Sequence, residues 1–120
     1  MDARKIFTIL ILMLVFRPVS AEVVGNELKY RVGDTQFNGY IAYDDSIKGG
    51  RPGVIVVHEW WGHNEYARKR ARMLARLGYS AIALDMYGDG KQASHPRDAG
   101  RFSSAVSSNL PEAEKRFLAA

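Results

Sequence analysis

Two short apolar runs with a helix between them narrow the folds open to this chain. Val54-Ile55-Val56-Val57 and Ala81-Ile82-Ala83-Leu84 are unbroken by polar residues. Such runs mark strands buried on both faces rather than on one. Between them, Ala67, Ala71, Leu74 and Gly78 recur at spacings of four, three and four, which draws one apolar stripe on a 3.6-residue helix. Asn64 is placed to cap that helix, and Gly78 to end it in the left-handed conformation. Strand, helix and strand then form a βαβ unit, which implies a parallel pair with a right-handed crossover. Arg68, Lys69, Arg72 and Arg76 fall mostly on the far side of the helix. A charged helix face of this kind reads as a solvated one rather than as an anion site.

The flanks add an antiparallel element. Leu28-Lys29-Tyr30-Arg31-Val32 alternates apolar and polar, as does Phe37 to Tyr43, with Phe37, Ile41 and Tyr43 on one parity. Gly33-Asp34 is a two-residue loop that closes the two into a hairpin. Asp44 to Gly53 and Met86 to Pro96 read as loops. A short helix is expected over 97–107. Another begins with Pro111 in its first turn and runs to Ala120. The expected class is therefore α/β, an N-terminal β-hairpin followed by a parallel βαβ with flanking helices. A parallel sheet needs cover on both faces. The helix that should lead to a next strand runs to the last residue, so the chain reads as the front part of a larger α/β domain. By itself such a part exposes apolar strand and helix surface and is expected to be poorly soluble.

The first 21 residues read differently. Arg4 and Lys5 precede an apolar run, Ile6 to Phe16, and Val19-Ser20-Ala21 follows with small residues where a signal peptidase reads. The run is too short to span a bilayer, which takes about 20 residues. A signal peptide cleaved after Ala21 is expected, with a secreted or periplasmic mature chain, 22–120, that has no membrane attachment. Three of the 17 basic residues and one of the 13 acidic residues lie in this leader, so the remainder has a net charge of +2. That balance, without a basic and aromatic stripe on strands, argues against nucleic acid as a partner. The absence of cysteine removes disulfides and thiolate zinc sites. No sequence signal points to a particular oligomeric state.

The densest chemistry lies in VVHEWWGHNE, Val56 to Glu65. His58-Glu59 invites comparison with H-E-x-x-H, which places two histidines four apart on one helix face to hold zinc. Here His63 follows His58 by five, across Gly62. On a helix those rings would point ~140° apart, and His58 lies at a strand end. No metal is expected. The alternative is a strand end that opens a site, since open parallel sheets bind ligands beyond the carboxyl ends of their strands. His58, Glu59, Trp60 and Trp61 lie at one such end, and Asp85, Met86 and Tyr87 at the next. A backbone N–H just after the strand could serve a developing oxyanion, and Glu59 could orient or deprotonate a nucleophile. The plainer possibility is that the tryptophans are packing anchors and Glu59 a helix N-terminal acid.

Arg51-Pro-Gly-Val-Ile-Val-Val-His-Glu-Trp-Trp-Gly, then Ala71-Arg-Met-Leu-Ala-Arg-Leu-Gly-Tyr, then Leu84-Asp-Met-Tyr-Gly resembles the N-terminal portion of the dienelactone hydrolase family of α/β-hydrolases. The resemblance runs from about Leu28 to Ala120. It implies a partial α/β-hydrolase fold and hydrolysis of a small carboxylic ester or lactone by a nucleophile–His–Asp triad, with no metal and no cofactor. Glu59 matches the family's strand-end glutamate, which holds the resting nucleophile. Trp60 matches the residue whose backbone N–H forms half the oxyanion hole. Trp61 and Tyr87 would line the substrate pocket. The family's nucleophile elbow has no counterpart here: there is no cysteine, and no serine lies in G-x-S-x-G. His58, His63 and His95 all precede the place of a triad histidine. Members that cleave dienelactone carry an arginine soon after Asp-x-Tyr, where this chain has Asp89 and Lys91, which makes dienelactone itself a doubtful substrate. The expectation is a hydrolase of this type whose nucleophile lies outside these 120 residues. The alternative is a non-catalytic binding or interaction module built on half the fold.

Overall fold

The structure, a computed structural model, describes residues 22–120. The expected signal peptide lies outside the described residues. Strands β1 (Val23–Val32) and β2 (Thr35–Asp44) form the hairpin, paired without a break from Val23 opposite Asp44 to Val32 opposite Thr35. β1 begins five residues before the expected Leu28, because the ladder continues through Gly25 and Asn26 although the apolar alternation stops there. β3 (Gly53–Val56), α1 (Glu65–Arg76) and β4 (Ser80–Ala83) follow, then α2 (Pro96–Ser107) and α3 (Leu110–Ala119). The sheet order is β1-β2-β4-β3, with β4 antiparallel to β2 and parallel to β3. The expected hairpin, parallel pair and flanking helices are all present.

The ends of α1 are built by the residues expected. Asn64 Oδ1 accepts from the N–H groups of Tyr66 and Ala67 at 3.1 and 3.4 Å. Gly78 has φ +94°. Its N–H reaches the Ala75 carbonyl, and that of Tyr79 reaches the Leu74 carbonyl, a Schellman closure in which only glycine is unstrained at the turning residue. Ala67, Ala71 and Ala75 are buried against Tyr40, Ala42, Ala81 and Ala83. Small side chains on both sides let helix and sheet approach closely, so an added isobutyl group there would cost about 1–3 kcal/mol.

Two expectations need correction. β3 is not buried on both faces: Ile55 is 48% exposed and Val57, just beyond it, 53%. β3 is an edge strand, and α1 covers only one of its faces. β4, an inner strand, comes closer: Ala81 and Ala83 on one face and Leu84 just beyond it are fully buried, while Ile82 on the other face is half-buried. Nor is the basic face of α1 uniformly solvated. Arg68 and Arg72 lie over the Tyr40 ring at 5.5 and 5.6 Å and pair with Glu27 and Glu65. The two guanidinium groups thus sit over an aromatic face, a cation–π contact, while each pairs with a carboxylate. Lys69 and Arg76 remain exposed.

Successive strand residues face opposite sides, so Phe37 lies on the side away from α1. It is fully buried, stacked on Tyr30 at 5.4 Å, with the Arg116 guanidinium of α3 5.3 Å above its ring. Arg116 also donates to the Met86 carbonyl at 2.9 Å. Helices thus pack on both faces, and the carboxyl ends of β3 and β4 emerge side by side between them.

Candidate active site

The exit of β4 is organised by Asp85, which is fully buried. Its Oδ1 accepts from the N–H groups of Tyr87 and Gly88 at 3.1 and 2.9 Å, and its Oδ2 from those of Asn38 and Gly90 at 3.0 and 2.8 Å. An ionised carboxylate is acceptor-only and can take all four. Asp85 is therefore spent on holding the loop from Met86 to Gly90 against β2. The Tyr30 hydroxyl adds to this by donating to the Asp85 carbonyl at 3.0 Å.

The exit of β3 is a tight turn. The Gly62 N–H donates to the Glu59 carbonyl at 3.0 Å. Gly62 has φ +94°, and a Cβ there would lie 2.3 Å from the Lys91 carbonyl oxygen. Only glycine lets this turn dock on the 91–93 segment, where the Ala93 N–H donates to the Trp61 carbonyl at 2.9 Å. His63 then leads into α1. It is fully buried, with Nδ1 3.1 Å from the Leu84 carbonyl, while its Nε2 meets no partner among the described residues. A carbonyl only accepts, so the proton lies on Nδ1. Burial, helped by nearby Arg68, holds the ring's pKa below its usual value and keeps it neutral.

The two exits and α2 border a cavity of about 350 Å3 that is widely open to solvent. Val57, His58, Glu59, Trp60, Met86 and Tyr87 line it from the strand ends, and Ser103, Val106 and Ser107 from α2. The exposed Glu59 carboxylate has no hydrogen-bond or ion-pair partner among the described residues. The Trp60 backbone N–H likewise donates to no group among them. Trp60 Nε1 donates to Ser103 Oγ at 3.0 Å, which seats the indole against α2. Burial raises the Tyr87 phenol above its usual pKa, so it is a donor at neutral pH, and it donates to the Trp60 carbonyl at 2.9 Å.

Of the residues singled out in the sequence, Glu59, Trp60 and Tyr87 meet at this cavity. Trp61 is not among its lining residues; its ring lies edge-on to Trp60, 5.4 Å away. Sequence reasoning missed the wall from α2, although Ser103 and Ser107 are four apart and so share a helix face. It also missed the task of Asp85, although an aspartate heading a Gly-rich loop is a common sign of side chain-to-backbone bonding. Half-buried His58 at the strand end and buried His63 at the helix entry both spend ring nitrogens on backbone hydrogen bonds.

Chemically, Glu59 and Trp60 line one largely apolar cavity, and neither the Glu59 carboxylate nor the Trp60 N–H has a partner among the described residues. Ser103 lies within it, but its hydroxyl donates to the Gly100 carbonyl at 3.1 Å and accepts from Trp60. No base among these contacts could activate it.

Known proteins are similar to this chain. The model of the dienelactone hydrolase family matches residues 37–120. Protein usf of Aquifex pyrophilus is 37% identical over 81 residues, which is 65% of this chain and 33% of that protein. Among solved structures, m3DLH superposes with a TM-score of 0.77 at 34% identity, covering 83% of this chain and 41% of that one. A dienelactone hydrolase-like promiscuous phosphotriesterase from metagenomic libraries gives 0.75 at 32% identity, covering 81% and 40%. This chain thus spans well under half the length of each of these three proteins.

Proposed function

This chain belongs to the dienelactone hydrolase family, and we propose that it supplies one half of a site that cleaves small carboxylic esters or lactones. The observation that carries the reading is the pairing of the free Trp60 N–H with the free Glu59 carboxylate at one cavity. The N–H stabilises the oxyanion that forms when the ester carbonyl is attacked. Glu59 holds the attacking group and helps to remove its proton. Tyr87 and the Trp60 indole wall the acyl group, and Trp61 acts by backing Trp60. The attacking atom comes from outside these 120 residues, which contain no cysteine and no serine in an elbow motif. The reading calls on neither metal nor cofactor.

The lining also bears on substrate charge. Among the described residues no arginine or lysine lines the cavity, and Glu59 is the one acidic group that does. A substrate carboxylate would meet repulsion from Glu59 with no cationic partner among the described residues, so this half of the site favours neutral esters over anionic ones. On the leader over residues 1–21 we place the mature protein outside the cytoplasm. An exported product whose intact mass begins at Glu22 supports that placement.

The test is an amide titration of the 15N-labelled protein with ethyl butyrate, a neutral ester. Shifts confined to Glu59–Trp61 and Met86–Tyr87, with succinate giving none, support the reading. Shifts elsewhere, or none at Trp60, count against it.

A further inference from the structure

His58 lines the cavity, yet the function proposed above gives it no task. The geometry points to His58 as the positioning residue that aims the Trp60 N–H, an inference that rests on reading that N–H as the oxyanion donor. A trans peptide unit is planar, with its C=O and N–H pointing in opposite directions, and none among the described residues is cis. Whatever holds the Glu59 carbonyl therefore sets the direction of the Trp60 N–H. Two donors hold it, Gly62 N–H at 3.0 Å and His58 Nδ1 at 2.8 Å.

The other nitrogen of the same ring makes the link directional. His58 Nε2 accepts from the Met86 N–H at 3.1 Å. A backbone amide only donates, so Nε2 carries the lone pair and the ring proton sits on Nδ1, facing Glu59. The imidazole thereby ties the exit of β4 to the peptide that carries the Trp60 N–H, which has no acceptor among the described residues. Tyr87 completes the clamp. Its ring packs edge-on to His58 at 4.6 Å, and its hydroxyl holds the next carbonyl, that of Trp60. The peptide planes on both sides of Trp60 are thus pinned from the β4 side.

Protonation would undo the clamp, because a proton on Nε2 would face the Met86 N–H. The groups that bear on the ring are Glu59 on its own segment, Asp85 and Tyr87 beyond β4, and His63 at the entry to α1. Asp85 favours the charged ring, but burial outweighs it and holds the pKa below the usual value.

The experiment uses the 15N-labelled protein with no ester present. Imidazole 15N shifts at neutral pH should report a ring protonated on Nδ1 and bare on Nε2. On acidification the amides of Trp60, Gly62 and Met86 should move with one midpoint, that of His58, below its ordinary value of 6.5. His58→Ala should abolish that shared titration, displace the Trp60 amide and speed Met86 N–H exchange roughly fivefold or more. His58→Gln, which keeps one donor and one acceptor, should return the Trp60 amide toward its wild-type position without the titration. A ring protonated on Nε2 overturns the inference. So does a Trp60 amide indifferent to both titration and replacement of His58 while the β1 and β2 amides stay in place. If the expected shifts appear but ethyl butyrate leaves the Trp60 amide unmoved, His58 still aims that N–H and the assignment as oxyanion donor falls.

Discussion

Replacing Asp85 with asparagine removes one oxygen and should cost a substantial part of a typical domain's margin. The wild-type carboxylate satisfies four backbone donors, two on each oxygen, in a fully buried position. Asparagine has one acceptor oxygen. In either amide orientation, two N–H groups face an NH2 group: those of Asn38 and Gly90, or those of Tyr87 and Gly88. A buried donor left without a partner costs about 1–3 kcal/mol, so two of them together with the lost charge assistance amount to about 3–5 kcal/mol. Domains of this size are stable by about 5–15 kcal/mol. Urea unfolding followed by tryptophan fluorescence measures the change, with the midpoint falling at an unchanged slope. The Tyr87 and Trp60 amides should also shift, because the loop carrying Tyr87 loses its anchor. A loss below about 1 kcal/mol, with the loop amides in place, would refute the view of Asp85 as the organiser of this loop.

Gly62→Ala should lose about 2–4 kcal/mol, since its Cβ would meet the Lys91 carbonyl oxygen at 2.3 Å on a left-handed backbone; a urea midpoint near wild type would show that the turn is not docked as described. Glu59→Gln should leave stability within about 0.5 kcal/mol in the same assay, because the side chain is exposed and has no partner among the described residues. A clear loss would mean that Glu59 is structural. The pKa values of His58 and His63 are both held below the usual 6.5 by burial. The unfolded chain therefore takes up protons that the folded one excludes. Their contribution to stability is complete above about pH 6.5 and declines as pH falls below it. Urea midpoints that are level from about pH 6.5 to 5 would contradict this.

The elements were readable because each had a local cause. Alternation marked the hairpin, Asn64 and Gly78 bounded α1, and unbroken apolar runs marked β3 and β4. The exposure of Ile55 and Val57 was not readable, since an apolar run does not reveal whether its strand is inner or edge. Half of the candidate site followed from position alone, because Glu59, Trp60 and Tyr87 stand directly after two strands of one βαβ unit. The rest depended on contacts between segments distant in the chain. The two ring nitrogens of His58 take their meaning from a Met86 N–H 28 positions later. The four donors on Asp85 come partly from β2. The direction in which Trp61 points was likewise invisible, as two adjacent tryptophans in a turn look equally fit to line a pocket.

The central claim is that these residues form the oxyanion and carboxylate half of an ester-cleaving site without its nucleophile. The most direct measurement follows p-nitrophenol release from p-nitrophenyl butyrate by the 120-residue chain, with the Trp60 amide recorded on the same preparation. The account predicts that the ester shifts the Trp60 amide while release stays at the solvent rate. Release above that rate that Glu59→Gln abolishes, or an ester that leaves the Trp60 amide in place, would contradict it.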